Sequence, residues 1–339
     1  MNIKEIVENC PNNIEILNSW LVTDNKIKRS RKPFVAVSGG SDSDLVVHLC
    51  ATIDESGKVT YVFYDTGLET QATKRQIKFL EEKYGIEIIV QKAIKPIPIC
   101  CRQYGVPFIS KRVSDYISRL QRHDFKWEDR PFEELYKEYP RCKVALKWWC
   151  NAWPNSDKGD ESQFNISRNT WLKEFMVANP PTFKISAKCC DYAKKKVAKK
   201  FAEDGGFDLN ITGVRKAEGG TRTTAYKNCF TPESDKTIAQ YRPLFWYKQD
   251  TKLLFNQTYG IEHSDCYTIW GLPRTGCSGC PFAKDFETEM AAIEKYEPKL
   301  YKAINNVFGQ SYEYTRKYRG FQATQKALQD AQRESEESK

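Results

Sequence analysis

Apolar residues fall into short unbroken runs near the start of the chain: FVAV at 34–37, VTYVFY at 59–64 and IEIIVQ at 86–91. Such runs, rich in β-branched and aromatic side chains and bounded by polar stretches, predict buried strands. Between them the period changes. Residues 44–53 and 73–83 carry apolar side chains three and four apart, Ile77 and Leu80 with Tyr84 beyond them in the second case, and this predicts helices. Strands alternating with helices make a parallel sheet covered on both faces.

Farther along, the pattern loosens. Residues 93–183 hold KPIPICCRQYGVPF, then a charged, aromatic-rich helical stretch from 111 to 149, then the polar loop NSDKGDESQ. The segment reads as a helical insertion. Five of the eight tryptophans (Trp127, Trp148, Trp149, Trp153 and Trp171) lie in or near it. That concentration predicts core packing, with a base-stacking surface as the alternative. A lysine-rich helix follows from Cys189 to about Ala202, and DLNITGVR at 208–215 reads as a further strand entering a glycine-rich turn. Beyond Pro281 the pattern is helical, and the closing ALQDAQRESEESK is polar enough to fray.

Charge and cysteine content narrow the chemistry. The net charge of +9, from 53 basic against 44 acidic residues, is concentrated in KIKRSRK at 26–32 and KCCDYAKKKVAKK at 188–200. Such clusters attract nucleic acid by counterion release, and serve nucleotides, sulfate esters or solubility equally well. No apolar run is long enough to span a bilayer, and MNIKEIVENC lacks the build of a signal peptide, so the expected location is the cytoplasm. In that reducing compartment twelve cysteines point to metal or sulfur chemistry rather than disulfides. The three histidines sit in no catalytic motif, and His48 falls inside a predicted helix, where a core position is expected.

Two motifs carry the functional reading. In FVAVSGGSDS at 34–43 a strand ends in Gly-Gly and leads into a helix, which gathers backbone N–H groups at the helix's positive end and suits a phosphate. Ser38, Ser41 and Ser43 add hydroxyl donors, and Asp42 can orient Mg²⁺ on a polyphosphate. The plain alternative is a capped strand-to-helix turn. The second motif pairs adjacent Cys189 and Cys190 with Cys277 and Cys280 at C-x-x-C spacing, four sulfur ligands for zinc or a [4Fe–4S] cluster. Cys229, in YKNCF, is an alternative ligand or a sulfur-carrying thiol. Ordinary burial is expected for Cys10, Cys50, Cys100, Cys101, Cys142, Cys150 and Cys266.

The loop resembles the SGG-x-DS pyrophosphate loop (PP-loop) of the ATP pyrophosphatases, with Ser41 where lysine is frequent. Within that class VFYDTGLETQAT at 62–73, ITGVRKAEGGTR at 211–222 and RPLFWYKQD at 242–250 resemble segments of the phosphoadenylyl-sulfate (PAPS) reductase family. The resemblance implies an α/β, Rossmann-like fold of the adenine nucleotide alpha hydrolase kind, a parallel sheet flanked by helices. Its nucleotide-binding domain would comprise 34–92 and 184–285, after a helical segment at 1–33, with the helical insertion at 93–183 and a helical C-terminal region at 286–339. It assigns Ser38, Gly39, Gly40, Ser41, Asp42, Ser43, Asp65, Gly67 and Gly213 to nucleotide binding. Asp42, Arg215, Arg222 and Cys229 become catalytic candidates, the arginines because a guanidinium meets phosphate or sulfate in a two-point fork.

Adenylyl-sulfate (APS) reductases of the family hold a [4Fe–4S] cluster on a Cys-Cys pair and a distant C-x-x-C, and adjacent thiols suit a cluster better than one small tetrahedral ion. Sulfonucleotide reductases also use a cysteine in an ECGLH-like tail, whereas this sequence has no cysteine after Cys280. The resemblance then leans toward members that use ATP, adenylate a target, release pyrophosphate and let a sulfur nucleophile displace AMP, as in the DNA phosphorothioation sulfur-transfer enzyme. The expected cofactors are ATP, or PAPS or APS, with Mg²⁺ and the [4Fe–4S] cluster. The expected partners are an adenine nucleotide, a nucleic-acid substrate, a cysteine desulfurase or thiol reductant protein and a second copy of the chain, with no membrane. A sulfite-forming sulfonucleotide reductase and a non-catalytic nucleotide- or DNA-binding protein with a structural metal centre remain as alternatives.

Overall fold

Alternation along β1 (Pro33–Val37) accounts for a sheet with two covered faces. Val35 and Val37 turn to one side with Tyr61, Phe63, Leu209 and Ile211, where Trp20, Leu45, Leu49 and Phe255 close the main core. Phe34 and Ala36 turn to the other, with Val62 and Tyr64, against Phe201, Ala202 and Phe207.

The coordinates are a computed structural model and describe residues 3–155, 159–219, 225–235 and 237–337. They form two units, one of Met1–Ile97, Cys190–Ser278 and Glu287–Tyr301, the other of Pro98–Cys189, Gly279–Phe286 and Lys302–Lys339.

The first unit opens with α1 (Ile3–Glu8) and α2 (Ile14–Arg29), then β1, α3 (Ser41–Ile53), β2 (Thr60–Asp65), α4 (Gln71–Tyr84) and β3 (Ile88–Lys92). Later come β4 (Leu209–Ile211), β5 (Phe230–Thr231) and β6 (Ala239–Tyr241), giving the sheet order β3-β2-β1-β4-β6-β5. All pairs are parallel except β5 with β6. The sheet is thus mostly parallel, as expected, and the antiparallel β5 is an addition: two or three residues carry too little apolar pattern to be seen in sequence. The run at 86–91, expected to be buried, becomes the edge strand β3, with Ile89 and Val90 40% and 54% exposed. Helix Gln249–Tyr259 buries Phe255 in the main core. The order reverses at β1: the chain runs β1 to β3 on one side and places β4 on the other, so the crevice between the carboxyl ends of β1 and β4 is a topological switch point, where open α/β sheets bind ligands.

The second unit is helical. Helix Lys111–Gln121 buries Val113, Tyr116, Ile117 and Leu120, an i, i+3, i+4, i+7 stripe, and Ser110 caps it by accepting from the Val113 N–H at 3.2 Å. Trp127, Trp148 and Trp149 are buried with Phe125, Leu135, Phe175 and Tyr314 in one aromatic core. Polar tips find partners there: Trp149 Nε1 donates to Glu128 O at 2.8 Å and Tyr318 Oη to Thr170 O at 2.7 Å. Three of the five tryptophans are thus packing residues. The closing segment, expected to fray, continues the helix Pro298–Glu337. Its Ala, Leu, Gln, Glu and Arg are strong helix formers, and polarity alone does not oppose a helix.

Candidate functional site

The turn after β1 is shaped by close approach. Gly39 has φ +64°, and a Cβ there would lie 2.8 Å from Thr73 Cγ2 on α4. Gly213, just past β4, passes so near that a Cβ would lie 2.7 Å from the Asp42 carbonyl oxygen and 3.1 Å from Ser43 N. The two strand ends therefore meet backbone to backbone. The Ser38 N–H donates to Ser43 Oγ at 3.0 Å and the Gly40 N–H to Ser38 Oγ at 3.3 Å, which ties the turn to the first residues of α3.

Around this turn lies a cleft of about 420 Å³, lined by Ser38, Gly40–Ser43 and Thr212–Arg215 and by Glu218, Lys252, Tyr267 and Pro273–Thr275. Asp42 sits between two buried cations, with Oδ1 2.9 Å from Arg215 Nε and 2.7 Å from Lys252 Nζ. Arg215 is 8% exposed and Lys252 7%. Lys252 also donates to Ser41 Oγ at 2.6 Å, and Glu218 accepts from the Arg215 N–H at 3.0 Å. Three cations (Arg215, Lys252 and Arg274) against two carboxylates (Asp42 and Glu218) leave the lining net positive, so it favours an anion. The expectation that Asp42 orients Mg²⁺ meets a carboxylate already employed as the counterion of two cations.

Behind the loop, Asp44 is wholly buried and its Oδ2 lies 2.8 Å from His263 Nδ1, whose Nε2 lies 2.9 Å from Asn256 Nδ2. Burial raises the pKa of Asp44, and the hydrogen bond to His263 works against that. His48 packs among Trp20, Phe255 and Tyr259, and burial, with Lys83 adding to it, lowers its pKa to about 4.

The loop after β2 carries Asp65 and Gly67, and Asp65 Oδ1 accepts from the Gly67 N–H at 2.9 Å. The neighbouring Glu69 accepts from the N–H groups of Thr66 and Leu68, both at 3.1 Å, and from the Thr66 hydroxyl at 2.6 Å. Thr66 Oγ1 also lies 3.7 Å from Cys277 Sγ. Burial pushes the pKa of Glu69 up, and the Thr66 hydrogen bond opposes it. Desolvation works against the charge on Lys194, but Cys277, Glu69 and Cys190 outweigh it and hold its pKa above the ordinary value.

The thiols divide. Cys190 and Cys277 act on Lys194 within the first unit. Among the described residues no group of three or more His, Cys, Asp or Glu side chains stands close enough to hold a metal ion. Cys229 immediately precedes β5, beyond β4 and β6 from β1, whereas Cys277 adjoins the loop after β2 on the opposite side. The sheet thus keeps Cys229 apart from Cys277 and outside the cleft lining. Its surroundings are Lys26, which stacks on Phe230 at 3.2 Å, and buried Arg242, which rests 3.8 Å above Tyr226. Arg222 lies outside the described residues.

Sequence reading missed Lys252, Tyr267 and Thr275. In helix Gln249–Tyr259 the structure buries Lys252 while adjacent Leu253 is 47% exposed, an inversion of the usual amphipathic order that only the fold reveals.

Residues 32–99 match the family model described as the phosphoadenosine phosphosulfate reductase domain. An uncharacterized protein of Methanocaldococcus jannaschii is 35% identical over 158 residues, 46% of this chain and 30% of that relative, so this chain spans less than a third of it. Among solved structures, the PAPS reductase of Candida auris in its phosphate complex is 10% identical with a TM-score of 0.43, covering 81% of this chain and 93% of that one. The U34-tRNA thiolase of Methanococcus maripaludis with its [4Fe-4S] cluster is 13% identical with a TM-score of 0.36, covering 88% and 79% respectively. No helix among the described residues is long and apolar enough to cross a membrane.

Proposed function

We propose that the cleft binds ATP and that the chain activates an acceptor by adenylyl transfer, preparing it for a sulfur nucleophile. The observation that carries this reading is the pair of cations, Arg215 and Lys252, each more than nine-tenths buried at the switch-point loop and held by the single carboxylate of Asp42. An arriving phosphate adds the negative charge that this lining lacks. The matched reductase-domain segment, which contains the whole Ser38–Ser43 loop, supports the same ligand class.

In the proposed reaction an acceptor oxygen forms a bond to the α-phosphorus, and the bond from that phosphorus to the oxygen bridging to the β-phosphorus breaks. The electron pair leaves on pyrophosphate. Arg215 and Lys252 stabilise the charge that grows there, and the N–H groups of the loop orient the leaving group. In a second step a sulfur nucleophile bonds to the activated carbon, and AMP departs with the acceptor oxygen. Mg²⁺ on the triphosphate would supply further charge neutralisation. The sulfonucleotide reductase alternative needs a thiol at the cleft, and Cys229 is not among its lining residues.

A [4Fe–4S] cluster on Cys189, Cys190, Cys277 and Cys280 belongs to this reading as a cofactor that would present or anchor sulfur, and no step above depends on it. Its support is the spacing of the two cysteine pairs together with Lys194 beside Cys190 and Cys277. The acceptor's class, a nucleic acid among the candidates, is part of the same proposal.

Calorimetric titration of the anaerobically purified protein with ATP and with PAPS, alongside iron analysis, tests the reading. Tight ATP binding that weakens in Arg215→Ala and Lys252→Ala supports it. Binding of PAPS without ATP would overturn it in favour of the reductase.

A further inference from the structure

A tyrosine closes the phosphate loop. Tyr267 Oη accepts the Ser41 N–H at 3.1 Å and the Thr275 N–H at 3.1 Å. With both acceptor positions filled, its own proton goes to Thr275 Oγ1 at 3.2 Å. The Ser41 N–H belongs to the loop's anion-facing backbone, at the start of α3. One hydroxyl oxygen therefore takes a donor that a phosphate oxygen would use.

The same hydroxyl holds a second segment. Thr275 stands two residues before Cys277, and this short stretch is pinned again at the loop after β2, where the Ser278 N–H donates to Leu68 O at 2.8 Å and Cys277 Sγ lies 3.7 Å from Thr66 Oγ1. Residues 275–278 thus run from the loop after β1 to the loop after β2. Apart from Tyr267, the contacts at the first end are slight: Pro273, Arg274 and Gly276 are exposed.

The structure assigns Tyr267 the role of a gate: its hydroxyl takes the place of a phosphate oxygen at the Ser41 N–H, and nucleotide binding displaces it and releases the segment that carries Cys277. This rests on the reading of the cleft as an ATP site. It makes Tyr267 a positioning residue, one that reports occupancy of the phosphate loop to the thiol segment, and not a ligand of the nucleotide. Tyr267→Phe removes the stand-in oxygen and little else.

The test uses the α,β-methylene analogue of ATP, which resists adenylyl transfer, with calorimetry and amide hydrogen exchange on the full chain. In the wild type the analogue should speed exchange across residues 272–278. In Tyr267→Phe that exchange should already be fast without nucleotide, and the analogue should bind about fivefold tighter, since the three neutral hydrogen bonds of the tyrosine hydroxyl no longer have to be broken. Weaker binding by Tyr267→Phe would make the tyrosine an ordinary ligand and overturn the gate while leaving the ATP site standing. Slower or unchanged exchange in the wild type on binding would overturn it as well, and this arm needs no variant to fold. Failure of both proteins to bind the analogue would instead remove the ATP reading, and the gate with it.

Discussion

The loops that follow β1 and β2 are neighbours at the same end of the sheet, and each contains a carboxylate with several partners, yet they use it in opposite ways. Asp42 is answered by side chains brought from elsewhere in sequence, Arg215 and Lys252. Glu69 is answered by its own loop, through the N–H groups of Thr66 and Leu68 and the Thr66 hydroxyl. A carboxylate satisfied by cations leaves a charged surface ready for an anion. One satisfied by local backbone donors leaves a rigid turn. Binding is therefore expected at the first loop and scaffolding at the second.

The largest effect should come from Gly213→Ala, whose methyl group would press on the Asp42 carbonyl and Ser43 N. Overpacking against backbone costs about 1–3 kcal/mol, and a displaced loop should lose more than about 100-fold in ATP affinity, read by calorimetry and thermal unfolding together. Lys252→Met should follow, with affinity reduced about 10- to 100-fold for one charged hydrogen-bonding partner lost. Retained affinity in Lys252→Met would break the contrast between the two loops.

Glu69→Gln should show the opposite profile, about 1–2 kcal/mol less stable in denaturant for the weakened acceptor, with ATP affinity nearly unchanged. The smallest effect concerns the helix that the first loop starts. His48 titrates at about 4 in the folded chain, below its ordinary 6.5, because burial opposes its charge. Its contribution is therefore complete above pH 6.5 and declines as pH falls toward 4. About 1 kcal/mol should be lost between pH 7.5 and 5.5, and His48→Asn should lack that part of the acid sensitivity in pH-dependent melts.

What the sequence revealed follows the same contrast. β1, β2, α3 and α4 were legible because their residues bury one periodic face in a local context. Ser38–Ser43 was legible because a strand, two glycines and hydroxyls are consecutive. Lys252 and Tyr267 reach the loop from more than two hundred residues away, and no local pattern records such a meeting. The place of Cys229 next to the edge strand β5 was equally hidden, since it is set by strand order, which the two-residue β5 and three-residue β6 decide without an apolar signature of their own. The edge position of β3 escaped for the same reason: an apolar run states that a strand forms, and its neighbours determine how much of it is covered.

The bridge formed by Asp42 also bears on turnover. In the proposed reaction, incoming ATP competes with a resident carboxylate for Arg215 and Lys252, so substrate is held less tightly than two bare cations would hold it. The same competition acts on the product: once pyrophosphate forms, Asp42 is poised to reclaim both cations, and the residue that holds the two cations in place is also the one that helps to clear the cleft for the next cycle.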